Sequence, residues 1–122
     1  MPAIEEKEES QPAKESEGDK ELEDEMAKLL LYLQQGVVLG DYAEALHIPE
    51  RKLSVFINST YGVSFKRWVN NKRVEYATEQ MAKHPDYTME RIAELSGFAH
   101  KSHFCKIFRE ITGGSFTEYK NR

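Results

Sequence analysis

The sequence predicts an all-α fold of about seven helices, on three observations. Apolar residues recur at three- and four-residue steps in one segment after another. Strict apolar–polar alternation, the mark of a half-buried strand, is absent from the pattern. Gly, Pro, Ser and Thr stand at the segment boundaries, where helices start and stop. The length agrees, since 122 residues suffice for one compact unit with a core and not for two large ones.

Residues 1–20 are Glu, Lys, Ser, Pro and Gln with almost no apolar side chain, too little to offset the entropy of ordering, and are expected to be a disordered acidic head or linker. The alternative for this head is an acidic arm that competes with an anionic ligand for a basic face. The first helix is expected from Glu21, with Leu22, Met26, Leu29, Leu30 and Leu33 as its stripe and Gly36 as its stop. A second carries Leu39, Tyr42, Ala43 and Leu46; after His47, Ile48 and Pro49, a third carries Leu53, Phe56 and Ile57. Pro49 sits near that start, where its missing N–H does no harm. Tyr61, Gly62 and Val63 break the pattern, and Ser64 caps a long helix from Phe65 to about Lys83 with Trp68, Val69, Val74, Ala77 and Met81 inward. His84, Pro85 and Asp86 end it. Thr88 caps a fifth helix holding Met89, Ile92, Ala93 and Leu95, with Glu90 and Glu94 on it. After Gly97 a sixth runs from about His100 to Ile111 over Phe104, Ile107 and Phe108. Gly113 and Gly114 precede a short seventh with Phe116 and Tyr119.

Charge is segregated along the chain. The net charge of −4 argues at first against a polyanionic partner. Residues 1–28, however, hold 11 acids and four bases, which leaves 10 acids and 13 bases for residues 29–122. An acidic head beside a mildly basic body is the balance of a linker next to a nucleic-acid-binding domain. One cysteine, Cys105, excludes an internal disulfide framework, and no Cys/His group has zinc spacing, so neither metal nor cofactor is expected. The apolar run Met26 to Leu33 is far shorter than the roughly 20 residues of a membrane span, and no signal pattern precedes it. A reducing, cytoplasmic setting without membrane contact is expected.

One arrangement occurs twice: a short helix containing Ala-Glu, a tight turn, then an amphipathic helix ending at glycine. Tyr42-Ala-Glu-Ala-Leu-His-Ile compares with Ile92-Ala-Glu-Leu-Ser-Gly-Phe. A small alanine, Ala43 or Ala93, stands where two helices cross closely, and Ile48 or Phe98 plugs the corner. This is helix-turn-helix patterning, in which the second helix offers its polar face to a DNA major groove. The domain from 21 to 122 is therefore expected to be two helix-turn-helix subdomains, about 21–63 and 84–122, joined by a connecting helix of about 64–83. About 19 residues at 1.5 Å each span roughly 28 Å, near the 34 Å repeat of B-DNA, so such a spacer suits two successive major-groove segments.

Over about residues 22–122 the sequence resembles the C-terminal DNA-binding domain of the AraC/XylS family of transcription regulators. The resemblance rests on Ile92-Ala-Glu-Leu-Ser-Gly-Phe, Ser102-His-Phe-Cys-Lys-Ile-Phe-Arg, Gly113 and Tyr119. The first unit adds Leu53-Ser54, Gly62, Ser64-Phe65, Arg73 and Ala77. Three positions depart: Ala99 and Pro49 stand where a capping serine is usual, at about 1 kcal/mol each for the lost caps, and Phe116 replaces a frequent proline. The resemblance implies sequence-specific binding of double-stranded promoter or operator DNA. It also implies contact with RNA polymerase and a sensor region outside this segment.

In the first recognition helix, about 50–60, the resemblance places Arg51, Ser54 and Val55 toward the bases, with Lys52 and Asn58 at the phosphate flank. Arg51 has the fork for guanine O6 and N7, and Val55 only a thymine methyl to meet. In the second, about 100–111, Lys101, Ser102 and His103 fall at the groove entry and Lys106 one turn later. Lys106 reads guanine or a phosphate; His103 donates to a base, a phosphate or neither, and tightens binding on mild acidification if it faces phosphate. Helix N-termini favour anions, which nominates Lys66, Arg67 and Asn70 on the long helix and Thr117 and Lys120 on the last as phosphate contacts. Trp68 is expected in the core, Arg73 against an acidic partner within the domain, and Cys105 in a packing role. The competing reading is a protein-interaction module using the acidic head and amphipathic helices. An enzyme is disfavoured: there is no phosphate loop and no nucleophile–base pair, and His47, His84, His100 and His103 are scattered.

Overall fold

A computed structural model describes residues 17–121. Its helices are α1 (Glu17–Lys28), α2 (Leu39–Leu46), α3 (Glu50–Tyr61), α4 (Phe65–Lys83), α5 (Met89–Leu95), α6 (Lys101–Thr112) and α7 (Phe116–Lys120), with a 3₁₀ turn at Leu31–Leu33 between α1 and α2. Among the described residues there is no strand, and no helix is long and apolar enough to cross a membrane. Of the expected disordered head, residues 1–16 lie outside the described residues, and 17–20 form the first turn of α1.

The caps act as the sequence requires. Ser64 Oγ accepts from Arg67 N at 3.2 Å and Thr88 Oγ1 from Arg91 N at 3.1 Å, each satisfying an amide that has no partner within its helix. Ser115 and Glu118 close a reciprocal box around the start of α7, so Phe116 does no harm there. The start of α6 differs from expectation: its N-cap is the extended residue His100, not Ala99, and neither His100 nor Pro49 supplies a side-chain cap.

The first helix also differs. The apolar stripe predicts a helix on to Leu33, yet α1 stops at Lys28 and Leu30 is 56% exposed. The cause lies on α4. Arg73 Nε donates to Tyr32 O at 2.6 Å and Nη2 to Gln34 O at 3.0 Å, and the 3₁₀ turn presents both carbonyls to it. Arg73 was expected to meet an acid; its partners are main-chain oxygens.

Two apolar clusters form, and α4 serves both. Met26, Tyr42, Leu53, Phe56 and Ile57 gather on Trp68 and Val69 from its first half. Ile92, Phe98, Phe104, Ile107, Phe108 and Phe116 gather on Val74, Ala77 and Met81 from its second. The long helix is thus a wall common to both units and more than a spacer between them. Fully burying each large side chain contributes about 2–3 kcal/mol, so both halves of α4 are held by their own clusters. Trp68 is core, as expected, and meets Tyr32, Tyr42, Tyr61 and Phe65, although its buried Nε1 has no hydrogen-bond partner.

Candidate nucleic-acid interface

The two corners are built alike. His47 N donates to Glu44 O at 3.2 Å and Ile48 N to Ala43 O at 3.1 Å; Gly97 N donates to Glu94 O at 3.2 Å and Phe98 N to Ala93 O at 3.1 Å. His47 and Gly97 both take the left-handed conformation, at φ 60° and 93°, which turns the chain sharply into the next helix. Ala43 and Ala93 are buried where the helices cross.

The correspondence continues past the recognition helices. Gly62 N and Gly113 N each donate at 2.9 Å, to Asn58 O and Arg109 O, and Ser64 and Ser115 then cap the next helices. Gly62-Val63-Ser64-Phe65 and Gly113-Gly114-Ser115-Phe116 are thus equivalent, so the repeat runs beyond the helix-turn-helix and is written in the residues themselves. It pairs Arg51 with Ser102, Lys52 with His103, Val55 with Lys106 and Asn58 with Arg109.

On α3, Arg51, Lys52, Val55 and Asn58 are exposed and Ser54 is half-buried, while Leu53, Phe56 and Ile57 face the core. Val55 is 61% exposed, an apolar group facing water. On α6, Ser102, His103 and Lys106 are exposed opposite Phe104, Ile107 and Phe108. Arg51, Lys52 and Lys106 make no ion pair or side-chain hydrogen bond among the described residues, so their charges are available to a ligand. Asn58 Nδ2 bonds back to Ser54 O at 3.2 Å, and His103 packs edge-on against Phe98 at 5.6 Å.

Lys101 turns away from that face. Its Nζ lies 3.0 Å from Glu90 Oε2 on α5, and this bond holds the exposed Glu90 carboxyl below the usual carboxylate range. The equivalent Glu50 likewise points back at α2, where a Cβ on Gly40 would meet its carboxylate at 3.0 Å. Lys101 therefore braces its own motif, and Glu50 lies against the equivalent helix of the first motif.

Of the nominated phosphate contacts, Lys66 and Thr117 are exposed at the starts of α4 and α7. Arg67 shares an ion pair with Glu110 of α6 at 3.6 Å. Lys120 Nζ reaches Tyr87 O at 3.5 Å, beside the α4–α5 connection. Asn70 is buried and walls a cavity of about 340 Å³ with Lys66, Arg73, His103 and the segment before α2. Its register was misjudged because the turn of α4 after Lys66 and Arg67 already faces inward. Arg109, exposed at the position matching Asn58, was missed; the repeat of the glycine-serine tail is the signal that finds it. Cys105 packs half-buried with its Sγ 3.1 Å from Met89 Sδ.

Two helix-corner-helix units on one shared helix, each exposing a polar face of its second helix, define a double helix-turn-helix DNA-binding module. Residues 42–122 match the family model described as a helix-turn-helix domain. The chain belongs to that family, in its AraC-type form, a class of transcription-regulator DNA-binding domain and not of enzyme. It is 30% identical over 105 residues to the regulatory protein PocR of Salmonella typhimurium, covering 83% of this chain and 34% of PocR. It is also 30% identical over 80 residues to the HTH-type transcriptional regulator YijO of Escherichia coli, covering 66% of this chain and 28% of YijO. The chain thus spans about a third of the length of these relatives. Its fold is similar to the C-terminal domain of AraT, a response regulator from Geobacillus stearothermophilus, with TM-score 0.72, 24% identity, and 87% of this chain and 85% of that one covered. The DNA-binding domain of AdpA, in complex with a target DNA, gives TM-score 0.70 at 22% identity, covering 82% and 89%.

Proposed function

We propose that α3 and α6 enter successive major-groove segments on one face of a promoter or operator duplex, so that one chain reads two half-sites. The observation that carries this reading is the repeated corner, alike in its hydrogen bonds, with Arg51 on one recognition helix and Lys106 on the other, both without an ion pair among the described residues. Arg51 reads a guanine through its fork, Val55 meets a thymine methyl, and Ser54, Ser102, His103 and Lys106 complete the base-facing set. Lys52, Asn58, Arg109, Lys66 and Thr117 lie where phosphates flank the groove. Arg67 and Lys120 reach phosphates by exchanging their present partners, and Lys101 joins the base contacts only by leaving Glu90. Asn70 serves the wall between the units and does not reach the DNA backbone.

By kinship with PocR and YijO, the module works in the cytoplasm as part of a longer regulator, with a sensor region outside this segment and RNA polymerase as its downstream partner. The test selects bound duplexes from a random library and measures them again with Arg51→Ala and Lys106→Ala at several salt concentrations. Arg51→Ala is expected to cost about 1–3 kcal/mol and to relax preference at one base pair. Lys106→Ala does the same at a second site if it reads guanine, or flattens the salt slope by about one if it holds phosphate. If no selected duplex binds about tenfold better than random DNA, specific reading is lost as an account of this surface.

A further inference from the structure

Between the two apolar clusters lies a seam that the recognition faces do not explain. Arg73 sits at its centre, midway along α4 and only 8% exposed. Its guanidinium forks to the carbonyls of Tyr32 and Gln34, which belong to the first unit, and lies 5.4 Å over the ring of Phe98, which plugs the corner of the second. The corner itself abuts the first of these carbonyls and its neighbour. A Cβ on Gly97 would meet Tyr32 O and Leu33 O at 2.9 Å and Arg73 Nε at 3.0 Å. Among the described residues no carboxylate pairs with Arg73; its charge meets two main-chain oxygens and a ring. An apolar side chain would fill such a seam but would not orient it, whereas a planar fork with fixed donor directions does. The exposed Arg67–Glu110 pair also crosses from α4 to α6, but a pair of that exposure adds little by itself.

We infer that Arg73 is a positioning residue for DNA recognition: by tying the 3₁₀ turn of the first unit to the corner of the second, it fixes the separation of the two recognition helices and so the half-site spacing that the protein accepts. This rests on the two-groove reading above. Successive base pairs rise about 3.4 Å, so a joint that yields by that distance accepts the neighbouring spacing. A rigid joint concentrates the second unit at its half-site once the first is bound; a loose one spreads it over several.

The experiment measures affinity by fluorescence anisotropy for the selected duplex, for duplexes with the half-sites one or two base pairs closer or farther apart, and for each half-site alone. Wild type, Arg73→Met and Arg73→Lys are compared, each checked for a cooperative thermal transition. Wild type is expected to lose about tenfold for a change of one base pair, because simultaneous engagement is then strained. Arg73→Met keeps single half-site affinity within about twofold, binds the native spacing about tenfold more weakly, and discriminates among spacings by less than about threefold. Arg73→Lys retains charge and bulk but not the fork and falls between the two, so it decides the matter if Arg73→Met does not fold. A wild-type spacing preference that both variants retain overturns the joint alone. So does an Arg73→Met whose single half-site affinities fall in the same proportion as the tandem site. A wild type that binds one half-site as tightly as two overturns the two-groove reading and the joint with it.

Discussion

The corner at His47 and the corner at Gly97 have the same backbone and different neighbours. Their hydrogen bonds agree at 3.2 and 3.1 Å, and both residues are left-handed. His47 is exposed, whereas Gly97 is pressed against the carbonyls of Tyr32 and Leu33 and against Arg73. The motif dictates the conformation, and the tertiary setting dictates the residue. In the first unit a side chain is tolerated at the cost of left-handed strain, about 1–2 kcal/mol for an L-residue. In the second there is room for hydrogen only. Burial at the seam therefore demands glycine at the second corner where the first admits a side chain.

Substitutions at the two corners sharpen this contrast, beginning with the plugs. Phe98→Ala is expected to lose about 4 kcal/mol in urea unfolding, since it empties a buried site and uncovers Arg73. Ile48→Ala, at a half-buried plug, loses about 2 kcal/mol. Equal losses would show that the corners are equally embedded.

Gly97→Ala is expected to cost about 3 kcal/mol, combining left-handed strain with overlap on two carbonyls. His47→Ala should move the same unfolding midpoint by less than about 0.5 kcal/mol. A Gly97→Ala variant as stable as the wild type would disprove the close approach.

The next contrast is chemical. Tyr42 of the first unit occupies the place of Ile92 in the second and donates to Leu29 O at 3.4 Å. Burial raises its phenol, and burial likewise raises Tyr32, above the ordinary value of 10.0. The folded state thus holds these protons more tightly than the unfolded chain does. Their contribution is fully present below pH 10 and is lost as pH rises beyond it. Thermal melts should fall steeply above that pH in the wild type and less steeply in Tyr42→Phe, which costs about 1 kcal/mol at neutral pH. Parallel pH profiles would refute burial of the phenol as the cause. The smallest effect expected is a gain: His47→Gly relieves strain and stabilises by about 0.5–1 kcal/mol, read as a higher melting temperature. A loss there would mean that the imidazole makes a contact outweighing the strain.

Much of this was legible in the residues because it is local. The stripe Trp68, Val69, Val74, Ala77, Met81 and the caps Ser64 and Thr88 locate α4 and α5 without reference to anything distant. The break after Lys28 was not legible, since its cause, Arg73, lies some 40 positions away in the chain, on the far side of both α2 and α3. The same distance hid Arg73's partners: an arginine beside a helical stripe suggests an acid, and main-chain carbonyls leave no trace in composition. At the candidate interface, the outward set on α3 came from the family resemblance, and Lys106 with it. The pairing of Lys101 was not legible, because it depends on the crossing of α5 and α6; Asn70 failed because one turn of α4 separates surface from seam.

A hydroxyl-radical footprint of the protein on its selected duplex tests directly whether both units read DNA. Two protected segments are expected on one face, about 10 base pairs apart, with Arg51→Ala weakening one and Lys106→Ala the other. A single protected segment, indifferent to one of these substitutions, would contradict reading by both units.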